Sequence, residues 1–102
     1  MIVAKYKFDK SIYENLIPVF NDGYEGYSIS DEIDENNSNH VIRTIECDVL
    51  PTMMRFGTSL SSSEYVEGNE IALLEVIDIN ISELTSMYQM FKYCKNLTSL
   101  DI

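Results

Sequence analysis

The chain has 102 residues, of which 45% are hydrophobic, so it is too apolar for a disordered segment and long enough for one modest core. Seven Lys and Arg stand against 17 Asp and Glu, a net charge of -10 that argues against nucleic acid and anionic membranes as partners, because phosphate contacts need clustered cations. No apolar run approaches the roughly 18 residues of a membrane span, and the apolar stretch at residues 1–4 is too short for a signal-peptide core.

In chain order, residues 1–8 alternate between apolar and polar and predict a strand with one dry face. Ser11 and Glu14 have capping-box spacing, which predicts a short helix ended by Pro18, with Ile12, Leu16 and Tyr13 inward. Asn21-Asp22-Gly23 marks a turn. Residues 24–33 and 40–48 read as two strands of a hairpin around the polar run 31–39, with Tyr27, Ile29 and Ile33 on one side of the first. Residues 50–57 fit a single helical turn, with Pro51 at its start and Gly57 at its end, and the Ser-rich stretch 58–68 reads as a loop. Residues 71–79 predict another strand. In 86–96, Ser86 and Gln89 form a second capping box, and Met87, Met90, Phe91 and Cys94 make an apolar stripe at helical spacing.

The last segment also repeats. L-E-V-I-D-I at residues 74–79 returns as L-T-S-L-D-I at 97–102, an offset of 23 residues. A period of roughly 20–29 residues with this spacing signals a leucine-rich solenoid, whose units bury their apolar faces only by stacking. Residues 84–102, through Met87, Met90, Phe91, Cys94, Leu97, Leu100 and Asp101, resemble the repeat of BspA-like leucine-rich-repeat proteins, a bacterial surface-protein or mycoplasma-lipoprotein-type repeat. Leu84 and Ile102 depart from the residues usual at their positions. Counted from the strand at residue 74, the resemblance covers about 29 residues, and it implies strand–helix units in surface-exposed or secreted proteins of bacteria, phages and some protists. It also implies adhesion or partner binding without catalysis.

The remaining chemistry is sparse. Cys94 lies on the apolar stripe, and the only histidine, His40, falls in another part of the chain, so no nucleophile–base pair is expected. Cys47 and Cys94 are expected to be free thiols. The acidic run Asp31, Glu32, Asp34 and Glu35 fails the EF-hand pattern and reads as a solvated loop. Tyrosine is large, amphipathic and rotationally inexpensive, which makes Tyr88, Tyr93, Tyr24 and Tyr27 the candidate partner-binding residues.

These readings give an α+β expectation: a β-rich N-terminal cap at residues 1–70, then the start of a strand–helix solenoid at 71–102. The expected function is a non-catalytic interaction or adhesion module on a cell surface, secreted or on a virion, with no cofactor or metal. Its expected partner is a protein or cell-surface ligand. The exposed edge formed by Leu97, Leu100 and Ile102 predicts a homo-oligomer. Two alternatives are a structural piece of a phage tail or similar particle, and a small acidic inhibitor or immunity-type protein.

Overall fold

Alternation is realised first in β1 (Ile2–Asp9), where Ala4, Tyr6 and Phe8 are buried and Lys5 and Lys7 lie on the other face. The computed structural model describes residues 1–56, 69–87, 90–91 and 94–100. Seven strands are described: β1, β2 (Val19–Phe20), β3 (Ser28–Ile33), β4 (His40–Glu46), β5 (Met54–Arg55), β6 (Leu73–Ile79) and β7 (Ser99–Leu100). Five of them form one sheet in the order β3-β4-β1-β6-β7. The long hydrophobic β1 is central, pairing antiparallel with β4 on one side and β6 on the other.

The expected hairpin is present. β3 and β4 pair antiparallel from Ser28↔Glu46 to Ile33↔Val41. Its turn is built by Asn and Asp side chains: Asp34 Oδ1 accepts the Asn36 amide at 2.9 Å, and Asn37 Oδ1 accepts the Asn39 amide at 3.0 Å. Such short polar side chains hydrogen-bond to backbone two residues on, which favours turns over regular structure.

In β6 the buried residues are Leu73, Val76 and Ile79, at a spacing of three rather than two. The β1–β6 register shifts twice, and each shift leaves one residue of β6 extra. Bulges of this kind turn the side chains of the following residues to the opposite face. Leu74 and Ile77, which mark the sequence repeat, are therefore only half-buried. β7 lies parallel to β6, in the register Glu75↔Ser99 and Val76↔Leu100. That is one residue longer than the sequence repeat.

The α+β, strand–helix expectation is corrected. Among the described residues there is no α-helix, only a 3-10 turn at Asn69–Ala72. Between 86 and 98, the Met90 amide bonds to the Met87 carbonyl, Cys94 to Phe91 and Leu97 to Cys94. These bonds span three residues, not the four of an α-helix, and make a run of turns. Met87 is consequently 56% exposed while Met90 is buried. The first predicted helix is also absent. Asp9 replaces Ser11 as the organising residue, with its Oδ1 accepting the Ser11 amide and hydroxyl and its carbonyl accepting the amides of Ile12 and Tyr13. Ile12 and Tyr13 are exposed, whereas Leu16 is buried. The helical turn expected at 50–57 is instead the short strand β5, paired antiparallel with β2; Gly57 and the loop at 58–68 lie outside the described residues.

The turns and the β2–β5 pair cover one face of the main sheet. Phe56 packs edge-on against Tyr6 of β1, with centroids 4.9 Å apart, and stacks on Phe91 at 5.9 Å. Its amide donates to the Met90 carbonyl at 2.6 Å. On the opposite face, Lys7 bridges Asp34 at 3.1 Å and Glu75 at 3.5 Å.

Candidate functional site

The loop after β2 begins as the turn that Asn21-Asp22-Gly23 predicts. The Tyr24 amide donates to the Asn21 carbonyl at 3.1 Å, and Gly23 takes a φ of 80°. Gly26 repeats this with a φ of 81°. Side chains with a Cβ seldom enter that region, so two glycines three residues apart fold the loop back on itself. Asn21 fixes the loop to the neighbouring segment through Oδ1, which accepts the amides of Thr52 at 2.9 Å and Met53 at 3.3 Å.

This loop brings Tyr24 and Tyr27 together. Their rings stack at 5.7 Å with an interplanar angle of 13°. Phe20 sits 4.9 Å from the Tyr24 ring and 5.2 Å from the Tyr27 ring. All three rings are half-buried. The Tyr24 hydroxyl donates to the carbonyl of Val49 at 2.6 Å, and Val49 is 67% exposed. The result is an aromatic patch on a loop tied to its neighbouring segment by hydrogen bonds.

Cys47 lies beneath this patch. Its thiol is held below its ordinary range, first by hydrogen bonding from Tyr24 and then by the Val49 amide. Burial pushes the Tyr24 hydroxyl upward, and the adjacent Cys47 adds to this. Neither Cys47 nor Cys94 is in a disulfide.

The other candidates are dispersed. Tyr88, Tyr93 and Ile102 lie outside the described residues. Leu97 is half-buried at the end of the turns, and Leu100 lies in β7, the outermost strand on that side of the described sheet. In the acidic run, Asp31 is committed to Arg43 and Asp34 to Lys7. Among the described residues, no group of three or more His, Cys, Asp or Glu is placed to hold a metal ion.

Sequence reasoning missed Phe20 as the third ring and Arg43 as an organising cation. Phe20 lies in β2, outside the Gly23–Gly26 loop, and no local sequence signal sets its ring against the tyrosines. Arg43, 6% exposed on the dry face of β4, had none beyond its place in an apolar alternation.

No protein-family model matches the chain, and no curated protein or solved structure was found to be similar to it. Among the described residues, no helix is long and apolar enough to cross a membrane.

Proposed function

We propose that the chain is a non-catalytic protein-interaction or adhesion module related to BspA-like repeat proteins, acting at a cell surface, in secretion or on a virion. The supporting observation is the fixed Phe20–Tyr24–Tyr27 patch beside exposed Val49. Preordered tyrosines supply contact area without a large ordering cost on binding. The test is binding of the immobilised chain to a panel of extracellular-matrix proteins and intact host cells. Saturable binding is expected, weakened about tenfold or more in a Tyr24→Ser/Tyr27→Ser variant whose circular dichroism matches the parent. Binding indifferent to both tyrosines, or none across the panel, would count against the reading.

A second reading, a structural assembly piece, draws on the parallel β6–β7 pair. Copies of the chain would join along the outer edge of β7, the strand that contains Leu100. Sedimentation over a hundredfold concentration range distinguishes the two. A discrete oligomer abolished by Leu100→Lys favours assembly, and a monomer throughout leaves the interaction reading.

A further inference from the structure

The margin of the sheet opposite β7 is a separate surface. β3 is its outermost strand, six residues long, with every residue exposed. Among the described residues no strand pairs with its outer side. The direction of its backbone groups follows from the register. The Asp34 amide donates to the His40 carbonyl at 2.9 Å, so 34 and 40 are a hydrogen-bonded pair. Antiparallel partners alternate between bonded and non-bonded pairs. Counting back, Ser30 and Glu32 bond to β4, and the N–H and C=O groups of Ile29, Asp31 and Ile33 point away from the sheet.

The side chains of this edge are segregated. Ile29 and Ile33 lie on the face shared with buried Ile45 and Val41, yet remain 39% and 50% exposed. Between them, Asp31 is already neutralised by Arg43. On the opposite face stands Glu32, with Glu35 beyond the strand in the turn; among the described residues neither is in an ion pair.

We propose that β3 receives an extended segment of a basic partner protein, which adds a sixth strand to the sheet. The added strand places apolar side chains beside Ile29 and Ile33 and Lys or Arg beside Glu32. Main-chain bonds to an open edge supply affinity, and alternate side chains supply specificity. A second copy of this chain fits poorly. The strand S-I-S-D-E-I has no Lys or Arg of its own to set beside Glu32, and a register that brings the two Glu32 residues together places like charges across a pair, which is destabilising. This docking does not depend on the aromatic patch.

The probe is a short labelled peptide in which lysine alternates with valine, with a glutamate–valine peptide as its control. Titration of the full chain is followed by fluorescence anisotropy and by amide hydrogen exchange. The expected result is saturable binding of the lysine peptide alone, weakened by salt, with new protection at the amides of Ile29, Asp31 and Ile33. Ile29→Pro removes an outward N–H without removing a bond to β4, and should weaken binding about tenfold or more. Glu32→Lys, which leaves the backbone untouched, should also weaken it and reduce the salt dependence. Protection elsewhere, equal binding of the glutamate peptide, or no binding at millimolar peptide would overturn the proposal. So would a concentration-dependent dimer that protects the same three amides in the absence of peptide.

Discussion

Arg43 shows how one side chain can organise three segments. Its Nε and Nη2 donate to the two carboxylate oxygens of Asp31 at 2.7 and 2.8 Å. Its Nη1 donates to the Asn15 side chain and, at 3.2 Å, to the Leu16 carbonyl. The guanidinium also lies 5.0 Å from the centroid of the Phe8 ring. Leu16 is drawn in further by the Tyr6 hydroxyl, which donates to the same carbonyl. The hydrogen bonds that Arg43 donates to Asp31 hold it above its already high range, although burial works against them. A buried cation that loses its carboxylate partner is costly, because its desolvation is no longer offset. Asp31→Ala should therefore destabilise the fold by about 3 kcal/mol. Glu32→Ala, one residue along the same exposed strand, should change stability by less than about 0.5 kcal/mol. Urea denaturation followed by far-ultraviolet circular dichroism measures both, and equal effects would refute a special role for Arg43.

The elements differ in how much of them was legible in the sequence. β1, β4 and their hairpin partner were readable because alternation and a polar Asn-rich turn agree. The two helices were misread because capping-box spacing is satisfied by Ser11/Glu14 and Ser86/Gln89, while Asp9 and the run of three-residue bonds decide the local structure. β6 was located but its buried face was not, since the bulges opposite β1 depend on a distant strand. Of the candidate site, Tyr24 and Tyr27 were legible as tyrosines near a turn, while Phe20 joined them only through tertiary folding. The hairpin turn carries a pH dependence. Asp34 accepts the Asn36 amide and pairs with Lys7, and both hold its carboxyl below the ordinary range, the backbone bond foremost. A carboxyl depressed in the folded state stabilises it above the unfolded value of about 3.9, and this contribution is lost as the pH falls through the folded value. Asp34→Asn keeps the turn acceptor and removes the charge. The stability difference between parent and Asp34→Asn should be constant from about pH 7 to 5 and shrink below about pH 4. A difference that persists at pH 2 would assign the effect to packing instead.

At the scale of the molecule, β1 makes the sheet a single unit. It pairs with β4 from residues 1–70 and with β6 from residues 71–102, so it is the strand that joins the β3–β4 pair to the β6–β7 pair. Phe56 is one of the residues that join the cover to the sheet: it is 4% exposed and contacts Tyr6 on one side and Phe91 on the other. Truncating a buried Phe to Ala costs about 3–5 kcal/mol, through lost transfer energy and the cavity left behind. Against a total of about 5–15 kcal/mol for a domain, that is a large fraction. Phe56→Ala should therefore lower the urea midpoint strongly, and sheet and cover should still unfold together. The chain has seven tyrosines and no tryptophan, so tyrosine fluorescence reports on packing while circular dichroism reports on the sheet. Coincident transitions from the two probes, in the parent and in Phe56→Ala, are the expected outcome. Tyrosine fluorescence that changes well before the circular dichroism in the variant would mean that the cover detaches from a sheet that remains intact, and cooperative coupling through Phe56 would have to be abandoned.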